Sequence, residues 1–185
     1  MKPGSFWATL LVSAVCAAAL AQPAPPPGHN VHRVVEQDEH LFWRGGGPTR
    51  ETMLALQATA RQQQRPLTLI DLRHPPFDDD RRGGGGRLSP AGEKRLANQL
   101  GLRYRAVSAL DKDLIAIIDE ALQAGDVYLH CQYGVNRTGF AVARYATARG
   151  LKVDRRKLGE RDWNQGVRFQ KNRRKKEKST PEDVL

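Results

Sequence analysis

His130-Cys131-Gln132-Tyr133-Gly134-Val135-Asn136-Arg137-Thr138-Gly139 follows a short apolar run, Val127 to Leu129, and precedes a helix-like run, Phe140 to Arg149. A strand, a tight loop and a helix in that order build a cradle for an oxyanion. Successive backbone N–H groups of the loop can turn inward as a nest, and the free N–H groups and positive dipole end of the helix add to the attraction. Cys131 stands at the mouth of this nest, where helix N-termini and cations favour thiolate, the nucleophilic form. Arg137 adds a planar guanidinium able to make two parallel hydrogen bonds to a phosphoryl group, which a lysine cannot. One loop therefore carries both a nucleophile and a clamp.

The stretch resembles the His-Cys-x5-Arg-Ser/Thr signature of the cysteine-dependent protein tyrosine and dual-specificity phosphatases, with His130, Cys131, Gly134, Arg137, Thr138 and Gly139 at the signature's spacings. The resemblance implies that Cys131 attacks phosphorus to form a phosphocysteine and that Arg137 binds the phosphate and the transition state. It further implies that Thr138 steadies the leaving thiolate and that His130 orients the loop and helps depress the thiol pKa. Gln132, Tyr133, Gly134, Val135 and Asn136 are then the substrate-binding loop with Arg137, and no metal or other cofactor takes part. Gly-x-Asn-Arg-Thr-Gly also resembles the loop of cysteine-type RNA 5′-triphosphatases. Across the chain, from about Leu41 to Phe169, the nearer likeness is to bacterial dual-specificity-like phosphatases.

Working outward toward the amino end, Leu67 to Leu72 is a nearly continuous apolar run, as expected of a parallel strand covered on both faces. Thr49 to Gln64 places Met53, Leu54, Leu56 and Ala60 at helical spacing, with Thr49 as N-cap. Ahead of it, Val31 to Val35 and His40 to Trp43 read as two short strands around a charged turn, Glu36 to Glu39. Phe42-Trp43-Arg44-Gly45-Gly46-Gly47-Pro48 and Asp71-Leu72-Arg73 resemble turns of the same phosphatase family. Asp71 and Arg73 stand where a strand gives way to a loop, so either can face a phosphate or pair with a neighbour. His29, His32 and His40 lack the paired spacing of metal ligands, and no metal is assigned.

Pro75 to Arg87 holds Asp78-Asp79-Asp80, Arg81-Arg82 and the glycines Gly83 to Gly86, and reads as a surface loop without a Walker sequence. Ser89-Pro90 opens a helix closed by Gly101, Leu102 to Val107 is a strand, and Asp113 to Ala124 is a helix with Leu114, Ile117, Ile118, Ala121 and Leu122 on one stripe. Phosphatases of this type protonate the leaving oxygen with an aspartic acid on a separate loop. Asp111 and Asp113 follow the preceding strand in the correct order, and Asp111 is the preferred general acid. Both residues also suit the start of a helix, as N-cap and first-turn carboxylate.

The first residues, Met1-Lys2, an apolar run from Phe6 to Leu20 and Ala19-Leu20-Ala21, have the pattern of a secretory signal over 1–21. Its removal takes Cys16 away and leaves Cys131 as the sole thiol, so the expectation is an exported protein, periplasmic or secreted, with no internal disulfide. Residues 22–30 read as a Pro-rich linker, 31–169 as one phosphatase domain and 170–185 as a basic disordered tail. The 185 residues suffice for one ordinary core, not two. A formal net charge of +10 draws the molecule to polyanions or acidic membrane surfaces. Sparse aromatic residues among the tail's cations give no support to specific nucleic-acid binding.

The expected architecture is a three-layer α/β domain with a central, mostly parallel sheet and the cysteine loop at a strand's carboxyl end. The expected activity is hydrolysis of phosphate monoesters, phosphotyrosine or related, by a monomer. Two further readings stand beside it: a phytase-like action on inositol phosphates using Arg73, Arg81, Arg82 and Arg87, and an inactive phosphate-binding module. Trp163 reads as a packing anchor and Gln165 as a residue able to position water.

Overall fold

The computed structural model describes residues 24–28, 30–37, 40–74 and 85–152. The expectations for the 1–21 leader, for Arg81, Arg82 and most of the glycine loop, for Trp163 and Gln165 and for the 170–185 tail lie outside them. The described chain forms strands β1 (His32–Gln37), β2 (His40–Gly45), β3 (Leu67–Asp71), β4 (Arg103–Ala106) and β5 (Asp126–His130). The helices are α1 (Arg50–Gln63), α2 (Pro90–Leu100), α3 (Leu114–Ala124) and α4 (Asn136–Arg149). The sheet order is β1-β2-β5-β3-β4; β1 runs antiparallel to β2, and every other pair is parallel. This is the expected three-layer arrangement.

Alternation along the strands sorts the core into two halves. Phe42, Ile70, Val127 and Leu129 face α3 and α4, where they meet Leu114, Ile118, Phe140, Val142 and Tyr145. Leu41, Trp43, Leu67, Leu69 and Tyr128 face the other way, against Met53 and Leu56 of α1 and Leu96 and Ala97 of α2. All five residues of β3 and of β5 are buried, which is why both read as apolar runs.

The strand ends are level. Gly45 pairs with His130, His130 with Asp71, and Asp71 with Ala106, so four parallel strands finish in one row. The loops that follow them crowd one edge of the sheet, with β5 at the middle. In open α/β sheets this carboxyl edge is where a ligand sits.

The helix signals act as read, with some shifts. Thr49 Oγ1 accepts from the Thr52 N–H at 3.2 Å, and Ser89 Oγ accepts from the Gly92 N–H at 3.2 Å. Helix α4, however, starts at Asn136, not Phe140; the Gly139 N–H already donates to the Val135 carbonyl at 2.8 Å. Thr138 and Gly139 are poor helix formers, and tertiary packing overrides that weak preference because both are buried. Strand β1 likewise continues through Glu36 and Gln37, which pair with Leu41 and His40 instead of opening the turn. The packed chain also begins ahead of Val31: Pro26 is buried, and Thr52 Oγ1 donates to the Pro27 carbonyl at 2.7 Å.

Candidate active site

Cys131 is the first residue past β5, and strand parity places its side chain with Leu129 on the α3/α4 face. It is a free, buried thiol. Burial by itself pushes the thiol pKa up. The Thr138 hydroxyl, the Arg137 charge and the N–H groups of Thr138 and Tyr133 together outweigh burial and bring the pKa below the ordinary thiol value. The early start of α4 matters here, because it makes Thr138 N–H one of the unsatisfied donors of a helix's first turn. The Thr138 hydroxyl also lies 3.4 Å from the Gly45 carbonyl. It has a single proton, which a thiolate, as the charged acceptor, takes in preference.

The loop is braced from below by the turn after β2. Gly134 has φ +71, and a Cβ there would stand 2.5 Å from the Gly45 carbonyl carbon and 2.6 Å from the Gly46 nitrogen. Only glycine fits such an approach in that conformation. Arg44, buried at the end of β2, donates through Nη2 to the Gly134 carbonyl. The Gly47 N–H donates to the Gln132 carbonyl at 3.1 Å, and Tyr128 Oη donates to the Gly46 carbonyl at 2.9 Å. Of the loop residues expected to bind substrate, Gln132 turns its side chain inward, where Oε1 accepts from Arg73 Nη1 at 3.1 Å. Tyr133 is 47 % exposed, with the Arg87 guanidinium 4.9 Å above its ring centre, while Asn136 is exposed and Val135 half-buried. Arg137 is half-buried at the first turn of α4, and its Nη1 donates to the Leu72 carbonyl at 3.5 Å.

Beneath the loop lies a buried ionic network on the α1/α2 face. Arg73 Nε donates to Asp71 Oδ1 at 2.8 Å and Nη2 to Asp71 Oδ2 at 2.9 Å, while Nη2 also pairs with Glu93 Oε2. Nη1 reaches the Leu88 carbonyl at 2.8 Å. Tyr104 Oη donates to Asp71 Oδ2 at 2.8 Å, and His130 Nε2 stands 2.8 Å from Glu93 Oε1. Burial favours a neutral acid at Glu93, yet both its oxygens face donors, so an ionised carboxylate fits and the proton belongs to the imidazole. The other ring nitrogen, Nδ1, faces the Cys131 carbonyl at 3.4 Å, again an acceptor. Burial lowers the His130 pKa, but the charges of Glu93 and Asp71 and the Glu93 hydrogen bond override this and raise it. Two cations and two anions thus share the pocket, and their charges cancel.

This decides between the two readings of Asp71 and Arg73 in favour of pairing with neighbours: Arg73 is 1 % exposed and its donors are spent on Asp71, Glu93, Gln132 and Leu88. Asp71, Glu93 and His130 place ligand-type atoms within 4.8 Å of one another. The donor set does not suit a metal ion, because Arg73 already holds both carboxylates and its guanidinium would sit beside the ion. Glu93 and Arg44 are the site-building residues that the sequence reading left unassigned. Glu93 was signalled by its phase: it falls three and four residues before Leu96 and Ala97, the buried face of α2.

Asp111 and Asp113 lie in the turn between β4 and α3, on the same carboxyl edge as the cysteine loop. The turn is tied to the segment that follows β3 by a bridge between Arg73 and Ser108. Asp111 is half-buried and its Oδ1 accepts from the Asp113 N–H at 2.9 Å, so Asp111 caps this turn; Asp113 is exposed and makes no side-chain cap bond.

No family model matches the chain, and no curated protein matches it in sequence. Among solved structures it is similar to TpbA of P. aeruginosa, at 21 % identity over 73 % of each chain with a TM-score of 0.42. It is also similar to the core catalytic domain of the PP-IP phosphatase SIW14 from S. cerevisiae, at 15 % identity over 79 % of each chain, TM-score 0.46. PTPMT1 is a third likeness, at 15 % identity over 78 % of this chain and 99 % of that one, TM-score 0.41.

Proposed function

We propose that the chain is a cysteine-dependent phosphoester hydrolase that works through a phosphocysteine. One observation carries this reading: a buried thiol whose pKa is nevertheless lowered, by a hydroxyl, a guanidinium and two backbone N–H groups that converge on its sulfur. A thiolate so held is a nucleophile at neutral pH. In the first step Cys131 Sγ bonds to phosphorus as the ester P–O bond breaks, and a protonated Asp111 gives its proton to the leaving oxygen. Arg137 and the loop N–H groups hold the equatorial phosphoryl oxygens. In the second, water attacks phosphorus, its proton passes to the Asp111 carboxylate, and the S–P bond breaks to return the thiolate to Thr138.

In this reading the substrates are phosphate monoesters, phosphotyrosine or related, outside the cytoplasm. The leader-like 1–21 segment supports the location, and sequencing the amino terminus of the exported chain tests it. The structure gives less support to multiply phosphorylated inositols, since Arg73, one of the four arginines that reading relied on, is consumed internally. A binding module is disfavoured by Thr138, because holding phosphate requires no hydroxyl aimed at the sulfur. The test is phosphate release from p-nitrophenyl phosphate, a phosphotyrosyl peptide and inositol hexakisphosphate, without added metal, by the chain and by Cys131→Ser. Turnover lost in Cys131→Ser supports the cysteine route. Turnover that survives the substitution, or no turnover with a reduced thiol and intact phosphate binding, rejects it.

A further inference from the structure

Helix α4 carries a second arginine whose position the reaction just described does not use. Arg144 follows Arg137 by seven residues, close to two full turns, so both leave the same side of the helix about 10 Å apart along its axis. Arg137 serves the cysteine loop. Arg144 instead reaches the turn after β4: Nη1 donates to the Asp111 carbonyl at 2.5 Å and Nη2 to the Lys112 carbonyl at 3.0 Å. One planar guanidinium thereby grips two consecutive peptide groups, which fixes the orientation of the backbone there as a single hydrogen bond would not.

The gripped turn is also bonded within itself. The Asp111 N–H donates to the Ser108 carbonyl at 3.0 Å, the Leu110 N–H to Ser108 Oγ at 3.2 Å, and the Leu114 N–H to the Asp111 carbonyl at 3.3 Å. These bonds keep its shape, and the Arg73–Ser108 bridge ties it to the segment after β3. Arg144 adds a direct polar tie to the helix that also presents Arg137 and Thr138. Asp111 Oδ1 is engaged by the Asp113 N–H, which leaves Oδ2 as the oxygen to carry the transferable proton. Proton transfer requires that oxygen within about 3 Å of the leaving group, and an ångström of misplacement is costly.

We propose that Arg144 is a positioning residue that holds Asp111 in place to protonate the leaving oxygen, coupling the acid's turn to the helix that clamps the phosphate. The inference rests on the proposed phosphatase reading and adds to it a residue outside the cysteine loop. Its signature is a dependence on the leaving group. p-Nitrophenolate departs readily without a proton, while the phenolate of phenyl phosphate or phosphotyrosine needs one.

The experiment compares kcat/KM on p-nitrophenyl and phenyl phosphate for the full chain, Arg144→Ala, Arg144→Lys, Asp111→Asn and the double variant Asp111→Asn with Arg144→Ala. Arg144→Ala is expected to lose about tenfold or more on phenyl phosphate and several-fold less on p-nitrophenyl phosphate. Arg144→Lys, which can reach one carbonyl at a time, falls between. In the Asp111→Asn background, Arg144→Ala adds no further leaving-group-dependent loss. An equal loss on both substrates, or the full differential loss persisting without Asp111, overturns the inference while leaving the cysteine chemistry intact. A parent enzyme with no Cys131-dependent turnover overturns both.

Discussion

His130 and Cys131 are adjacent in sequence, yet their side chains leave the sheet on opposite faces: the imidazole meets Glu93 Oε1 at 2.8 Å on the side of α2, and the thiol packs with α3 and α4. The backbone carbonyl of Cys131, 3.4 Å from His130 Nδ1, is where the two faces communicate. Glu93→Gln tests this link, because it keeps an acceptor for Nε2 and removes the charge that holds the imidazole protonated. The thiol pKa is expected to rise, with alkylation of Cys131 by iodoacetamide at pH 6 slowed about threefold.

The same variant should show a definite pH dependence of stability. His130 has a folded-state pKa raised above its unfolded value, through Glu93 and Asp71 and against burial. Its contribution is fully present below about pH 6.5 and is lost as pH rises through the folded pKa. Urea unfolding should therefore find Glu93→Gln less stable than the parent by about 3 kcal/mol at pH 6, with the gap narrowing in alkaline solution. A gap that failed to narrow with pH would mean that the Glu93–His130 pair gains no proton on folding.

Thr138→Ala removes the hydroxyl that bonds the thiolate and leaves the backbone N–H in place. In the proposed phosphocysteine route the loss should fall mainly on the second step, in which the thiolate departs. Steady-state turnover is expected to drop by about a hundredfold, the usual cost of one donor at a developing charge. Stopped-flow kinetics with p-nitrophenyl phosphate should then show a burst approaching one nitrophenolate per active site. Absence of a burst together with a slower first turnover would assign the hydroxyl to loop shape instead.

How much of this was readable in the sequence depends on the range of the interaction concerned. The strands β3 and β5 and the caps Thr49 and Ser89 were legible because their signals are local: an apolar run, or a hydroxyl three residues from the N–H it receives. The cysteine loop was legible because its chemistry is packed into ten consecutive residues. The start of α4 was misread because Thr138 and Gly139 look like loop residues until burial is known. Arg73 was visible, but not its direction, since it is set by Glu93 twenty residues onward. Arg44 serves Gly134, ninety residues away, and nothing near either residue announces the pairing.

Gly134→Ala should damage two loops at once. The residue holds φ +71, and the added methyl would press on the backbone of Gly45 and Gly46. Left-handed strain and the displaced contact together are expected to cost about 2 kcal/mol or more by urea unfolding. Because Gly47 also holds the Gln132 carbonyl, the cysteine loop should move with them, and under the proposed function binding of inorganic phosphate should weaken. Stability and phosphate affinity equal to the parent would show that the cysteine loop does not need this close approach.

Arg73→Lys separates a buried brace from a phosphate contact. The guanidinium uses Nε, Nη1 and Nη2 together, across Asp71, Glu93, Leu88 and Gln132, and its pKa is raised by Asp71 and Glu93 against the effect of burial. An ammonium keeps the charge but cannot match that fork, so donors are lost to carboxylates that stay buried. Destabilisation of about 3 kcal/mol is expected, in the range for breaking a buried ion pair. If Arg73 touched substrate, KM would rise selectively for substrates with several phosphates. The buried geometry demands the opposite pattern: unfolding at lower urea, with the KM ratio between phosphotyrosyl peptide and inositol hexakisphosphate unchanged.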